Sequence, residues 1–294
     1  MKKKFNVGLV QMSLSSDIDG NINKAVNMVE NAAHNGANVI LLPELYNSQY
    51  FCQKEDIESF NLAETIPGRS TEIFTAVAKR TNTVIIVPVF EKRGEGLYHN
   101  SLVVINNDGE IVGIYRKMHI PDDPAFYEKF YFAPGDLGFK VFDTEYGKLG
   151  TLICWDQWFP EGARITSLMG AIALFYPTAI GWHPHEKEEY GKQQSEAWMT
   201  VQRGHAIANG VYVCVCNRTG LEKTVETQAG IEFWGSSFIA DPQGVIIAEA
   251  PADKETVLIG EIDIDHLEEI RRNWPFLRDR RIDAYGDISK LYVD

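Results

Sequence analysis

Apolar residues along this chain gather in short, dense runs. FNVGLVQM (5–12), ANVILLPEL (37–45), NTVIIVPVFE (82–91), SLVVIN (101–106), EIVGIYRK (110–117) and TLICW (151–155) are rich in β-branched residues and bounded by Gly, Pro, Asn or Asp. The same holds for AIALFYP (171–177), VYVCVCNR (211–218), SSFIAD (236–241), VIIAEA (245–250) and TVLIGEID (256–263). This signature predicts strands. Between some of them the period changes from two to 3.6. Ile22, Ala25, Val26, Val29 and Ala33 form one apolar stripe that Gly36 ends, and Ile165, Leu168, Met169 and Ile172 repeat the spacing after Pro160. A third helix is expected over 193–209, and a fourth near the C-terminus, capped by Asp265 and broken at Pro275.

Two stretches read alike. NSLVVINNDGEIVGIYRK (100–117) and GSSFIADPQGVIIAEAPA (235–252) each give Ser, an apolar run, a polar turn with Gly, then a second apolar run. Ser101 to Gly109 and Ser236 to Gly244 share one spacing, as two β-hairpins would. The repetition suggests two similar halves about a pseudo-twofold axis. Nothing resembling a linker divides the 294 residues, so a single α/β domain over 1–294 is expected, with stacked sheets and helices outside.

Composition narrows the function classes. A net charge of −13 argues against nucleic acid or an anionic membrane as partner, and suits a small cationic substrate as well as plain solubility. No apolar stretch approaches the ~20 residues of a membrane span. The N-terminal MKKKFNVGLVQM is too short in its apolar part for a secretory signal, which points to the cytoplasm. Cys52, Cys154, Cys214 and Cys216 include no CxxC pair, so neither a disulfide framework nor a metal site is expected. Cys214 and Cys216 read as facing opposite sides of their strand.

Three polar residues stand where strands end. Glu44 follows VILLP, Lys117 ends EIVGIYRK, and Cys154 ends KLGTLIC. Taken singly, each fits an ordinary role: a loop carboxylate, a solvated ammonium, a core thiol. Together they suffice for hydrolysing an amide-like C–N bond with no metal or cofactor. A carboxylate can deprotonate the thiol and return the proton to the leaving nitrogen, while an ammonium and a backbone N–H hold the oxyanion. A helix starting at Pro160 and a nearby ammonium would favour a thiolate at Cys154.

LLPE (41–44), YRKMHIP (115–121) and LICWDQWFPE (152–161) closely resemble the three signatures of the nitrilase, or carbon–nitrogen hydrolase, superfamily. The likeness continues through YEKFYFAPGD (127–136), LFYPTAIGW (174–182) and GHAIANGVYVCVCNRTG (204–220). It implies a four-layer α-β-β-α sandwich, Glu44 as general base, Lys117 as oxyanion donor and Cys154 as nucleophile. Glu128 matches a further glutamate near the cysteine, and the backbone N–H of Trp155 a second oxyanion donor. The resemblance also implies a homodimer or higher homo-oligomer, with about residues 265–294 packing on a partner subunit.

Residues 116–136 are most similar to the branch acting on N-carbamoylputrescine in polyamine synthesis, which implies a small cationic carbamoyl substrate. β-Ureidopropionase-like carbamoylases and ω-amidases are the neighbouring alternatives, and a non-catalytic binding protein on the same fold a remote one. Asp122 and Asp123 then become candidate substrate contacts, with Trp155, Tyr127 and Trp182 beside them. Glu186, Glu188 and Glu189 add acidity in a later loop. That loop departs from the shorter one of plant members. Its His183 and His185 read as pocket wall or surface, not as metal ligands.

Overall fold

The computed structural model describes residues 2–223 and 229–294. The first half runs β1 (Lys4–Gln11), α1 (Ile18–His34), β2 (Val39–Leu41), α2 (Arg69–Thr81), β3 (Val84–Gly94), β4 (Leu97–Ile105) and β5 (Ile111–Arg116). The short α3 (Glu128–Tyr131) leads to β6 (Lys140–Thr144), β7 (Gly147–Thr151), α4 (Pro160–Leu168), β8 (Ala173–Thr178), β9 (Gly181–Trp182) and α5 (Lys187–Asn209). Then come β10 (Tyr212–Asn217), β11 (Thr219–Glu222), β12 (Ile231–Trp234), β13 (Phe238–Ala240), β14 (Ile246–Glu249), β15 (Thr256–Asp263) and α6 (Ile264–Asn273).

Two six-stranded sheets carry the fold, ordered β15-β1-β2-β3-β4-β5 and β6-β7-β8-β10-β13-β14. Each begins with an antiparallel pair, continues through two parallel pairs and ends with two antiparallel ones. The halves therefore share one topology, and the two hairpins read from the sequence are the matching β4–β5 and β13–β14. The internal symmetry is real. A three-stranded sheet, β11-β12-β9, is added in the second half only.

Side chains sort by the two-residue period of a strand. Val39, Leu41, Val84, Ile86, Leu102 and Val104 face the central layer between the sheets, where Leu149, Phe175 and Val213 are buried with them. Their neighbours Ile40, Leu42, Ile85, Val87, Val103 and Ile105 face outward and pack under α1 and α2 through Ile22, Val29, Phe74 and Val77. Helices α4 and α5 cover the second sheet. The result is the expected α-β-β-α sandwich.

Several local expectations are corrected. Cys214 and Cys216 are two apart on β10 and so share a face; all four cysteines are buried and unpaired. The cap of α6 is Asp263, whose carboxylate accepts from the N–H groups of Asp265 and His266. Helix α5 starts at Lys187, six residues before the expected start. In α4 the buried face is Gly162, Ala163, Thr166 and Ser167, small enough for close approach, while Ile165, Leu168 and Met169 are exposed. Of the expected stripe, Ile165, Leu168 and Met169 thus face outward, and Ile172 lies beyond the helix and is buried. Helix α6 packs with Leu267 buried and Arg271 donating to the carbonyls of Gly210 and Ala171. Beyond it Trp274, Phe276, Ile288 and Leu291 are exposed. Among the described residues no helix is long and apolar enough to cross a membrane.

The layering gives a direct stability test. Ile86→Ala, in the central layer, is expected to cost about 2–5 kcal/mol in urea unfolding, because the sheets cannot close fully on the cavity. Ile111→Ala, at 37% exposure, should cost under about 0.5 kcal/mol.

Candidate active site

Strands β1, β2 and β3 are parallel, and β5 lies two antiparallel steps from β3, so the C-terminal ends of β2 and β5 share one rim. Strands β7 and β8 form the corresponding rim of the second sheet. Glu44 leaves β2 just past Pro43, Lys117 leaves β5, Cys154 lies three residues beyond β7, and Ala179 follows β8. Four strand exits thus converge. Gly135 permits one of them: its N–H donates to the Lys117 carbonyl at 2.8 Å, and a Cβ there would lie 2.2 Å from the Arg116 carbonyl oxygen.

Lys117 has no exposed surface, and its Nζ donates to Glu44 Oε1 at 2.8 Å and to Glu128 Oε2 at 2.6 Å. Burial alone would strip its proton, but the carboxylates of Glu128 and Glu44 outweigh that and hold its pKa well above the ordinary lysine value. Burial raises the pKa of Glu128 despite the opposing ammonium. Asn100 Nδ2 also donates to Glu44 Oε1, at 2.7 Å, and Tyr50 OH donates to Glu128 Oε1 at 2.7 Å. Glu44 Oε2 is left buried without a hydrogen-bond partner. One carboxylate oxygen is fixed; the other is free to take a proton.

Cys154 is the first residue of a 3₁₀ turn, Cys154–Trp158, entered at φ +41°. A non-glycine residue there is strained by about 1–3 kcal/mol. The strand consequently stops at Thr151 rather than running through TLICW. The Cys154 side chain is 5% exposed, lies 3.9 Å from the Ala179 carbonyl oxygen and borders a cavity of about 820 Å³. Burial first, then the Glu44 carboxylate, push its thiol pKa well up, against the pull of Lys117. Two carboxylates already face one ammonium, so a thiolate would add a further negative charge to a dry site. Helix α4 begins at Pro160 as expected, but burial and the Glu44 and Glu128 carboxylates oppose the thiolate that it was expected to favour.

A buried arginine shapes the Glu44 loop. Arg218 Nη2 donates to the carbonyls of Glu44 at 2.6 Å and Leu45 at 3.0 Å, and Nη1 to the Ser48 carbonyl and Glu222 Oε1. Glu222 Oε2 accepts from the N–H of Tyr50 at 2.6 Å. Asn217 next to it holds Ile180 through both N–H and carbonyl, at 3.1 and 3.0 Å, fixing the segment that carries Ala179.

The cavity brings together Glu128, Cys154, Trp155, Asp123 and Tyr127 of the sequence-derived set. It leaves out four others: Glu44 and Lys117, which are fully buried and not on its wall, and Asp122 and Trp182. Asp122 and Asp123 are both exposed, and only Asp123, bridged to Phe126 across the 123–126 turn, borders the cavity. Trp182 stands behind the wall, donating from Nε1 to the Gly191 carbonyl at 2.9 Å and packing on Trp234 at 5.2 Å. Of the three loop glutamates only Glu186 lines the cavity; His183 and His185 line it as well. Trp158 and Trp234 form wall that the sequence reading missed. Asn100, Tyr50 and Arg218 were missed too, because a buried polar residue looks like any other from sequence. Among the described residues no three His, Cys, Asp or Glu side chains are grouped to hold a metal.

Removing the free carboxylate should have two opposite effects. Glu44→Gln is expected to lower turnover about 10²–10⁴-fold for want of a base. It also removes a negative neighbour of Cys154, so alkylation of that thiol by iodoacetamide at fixed pH should speed up. Peptide mapping of the alkylated protein reads the second effect, and slower alkylation would contradict the assigned electrostatics.

Comparison with known proteins agrees with this architecture. Residues 6–272 match the carbon-nitrogen hydrolase family model. The chain is 44% identical over 289 residues to the N-carbamoylputrescine amidase of Solanum lycopersicum, covering 97% of this chain and 95% of that protein. It is 42% identical to the citrullinase of Francisella tularensis, covering 98% and 99% respectively. The crystal structure of a carbon-nitrogen hydrolase from Helicobacter pylori G27 superposes with a TM-score of 0.95 at 48% identity, over 99% of this chain and 100% of that one. The rim geometry, the family match and these relatives lead to one conclusion: the chain belongs to the carbon–nitrogen hydrolase family and is an amidohydrolase.

Proposed function

We propose that this amidohydrolase removes the carbamoyl group of N-carbamoylputrescine, giving putrescine, CO2 and ammonia. The observation that carries the substrate reading is the cavity wall around Cys154. Its charged residues are Asp123, Glu128 and Glu186, and no lysine or arginine is among the described residues that line it. Such a wall favours an ammonium tail and disfavours a carboxylate one. The likeness to the tomato amidase supports the same substrate.

In this reading Cys154 Sγ attacks the carbamoyl carbon as Glu44 takes the thiol proton. The oxyanion forms against the Lys117 ammonium and the Trp155 N–H, an early donor of the 3₁₀ turn. One C–N bond breaks, its nitrogen leaves with the proton that Glu44 returns, and a thiocarbamate ester, S–C(=O)–N, remains on Cys154. Water, deprotonated by Glu44, then attacks the same carbon, the C–S bond breaks, and Glu44 returns the proton to Sγ. The released carbamic acid falls apart to CO2 and the second nitrogen. Glu128 keeps Lys117 charged throughout, and Tyr50 keeps Glu128 in place.

Citrulline shares the ureido group and an ammonium but adds a carboxylate, and the citrullinase relative makes it the natural competitor. The outward apolar residues of α4 and those beyond α6 support a homodimer or larger assembly. The substrate test is the rate of ammonia release across N-carbamoylputrescine, citrulline and N-carbamoyl-β-alanine. The expected order of kcat/KM follows that sequence, with the first at least about tenfold ahead, the effect of about 1.4 kcal/mol of differential binding. Faster turnover of citrulline or of N-carbamoyl-β-alanine would overturn the assignment.

A further inference from the structure

Two residues past the nucleophile, Asp156 is completely buried. A carboxylate in that position is tolerated only if its lone pairs are filled. Four donors fill them. Oδ2 accepts from Tyr115 OH at 2.7 Å and the Ile153 N–H at 3.0 Å; Oδ1 accepts from the His119 N–H at 3.0 Å and lies 2.7 Å from His119 Nδ1. The His119 ring is further fixed by stacking on Phe159 at 3.8 Å, with planes 5° apart.

The placement of these donors is the telling point. Tyr115 and His119 stand two residues to either side of Lys117, and Ile153 directly precedes Cys154. Lys117 leaves the first sheet and Cys154 the second. One side chain therefore bridges the two halves of the fold at the point where ammonium and thiol must meet. Asp156 itself is not part of the cavity wall.

We infer that Asp156 is a positioning residue: it fixes the separation of the Lys117 ammonium and the Cys154 thiol, and so the place where the oxyanion forms. The inference rests on the reading of Cys154 as nucleophile and Lys117 as oxyanion donor. Geometry explains why a carboxylate is needed. Each oxygen accepts one backbone N–H, from Ile153 on one side and His119 on the other, and a backbone N–H cannot reverse its role. An asparagine would point its NH2 group at one of them in either orientation. The resulting shift is small, but a displacement of about 1 Å can cost about 10²-fold in rate.

Steady-state kinetics of Asp156→Asn, Tyr115→Phe and the double variant, normalised to folded protein, test this, with Cys154→Ala as control. The expected result is a fall in kcat of about 10²-fold for Asp156→Asn and about tenfold for Tyr115→Phe, with KM within about twofold. The double variant should be no slower than Asp156→Asn alone, because the two act as one unit. If Asp156→Asn does not fold, the kcat and KM of Tyr115→Phe decide. Unchanged kcat in Tyr115→Phe, a rise in KM alone, or multiplying losses in the double variant would overturn the inference. Full activity in Cys154→Ala would instead sink the catalytic reading on which it stands.

Discussion

Lys117 holds its charge where no part of its side chain meets solvent, between Glu44 at 2.8 Å and Glu128 at 2.6 Å. A buried ammonium of this kind is stable only while both partners stay in place, and removing one partner of such a pair typically costs about 3–5 kcal/mol. The convergence of the strand exits is therefore a condition of folding as well as of chemistry. Asn100 and Tyr50 add one donor each, to Glu44 Oε1 and Glu128 Oε1, and Glu44 Oε2 is left without a partner. The same charges bear on Cys154: burial and the carboxylates of Glu44 and Glu128 raise its thiol pKa, against the pull of Lys117.

The duplicated topology explains how such a cluster can be built. Each half supplies a sheet whose parallel strands end on one rim, and facing the halves brings two rims together. Glu44 and Lys117 come from one rim, Cys154 and Ala179 from the other. Side chains that cross the divide then set the fine geometry: Arg218 reaches from the second half to the carbonyls of the Glu44 loop, and Asp156 reaches back to both flanks of Lys117. The added strands β9, β11 and β12 break the symmetry and contribute Gly181 and Trp234 to the cavity wall.

Much of this was legible in the chain. Strand runs were marked by β-branched residues, the paired hairpins by their common spacing, and Glu44, Lys117 and Cys154 by standing at strand ends within motifs that resemble one family. What escaped was direction. The stripe Ile165, Leu168, Met169 announces an amphipathic helix but not that its small-residue face is the buried one. Asp122 and Asp123 are neighbours, yet only the second borders the cavity. Trp182 and Trp234 both lie in short strands, and tertiary packing alone decides which is wall and which is backing. Asp156 lies inside the LICWDQWFPE motif, but three of its four donors come from Tyr115 and His119, which only the folded chain brings to it. Weak strands such as β9 and β11, four residues or fewer, carry too little periodicity to be seen.

The central claim is that Cys154 forms a covalent bond to the substrate carbon while Lys117 holds the oxyanion. Rapid acid quenching during turnover of N-carbamoylputrescine, followed by intact-mass analysis and peptide mapping, addresses it most directly. The account predicts a substrate-derived adduct on the peptide bearing Cys154, absent from Cys154→Ala. Turnover with no adduct on any cysteine, or with the adduct on Cys52, Cys214 or Cys216, would contradict it.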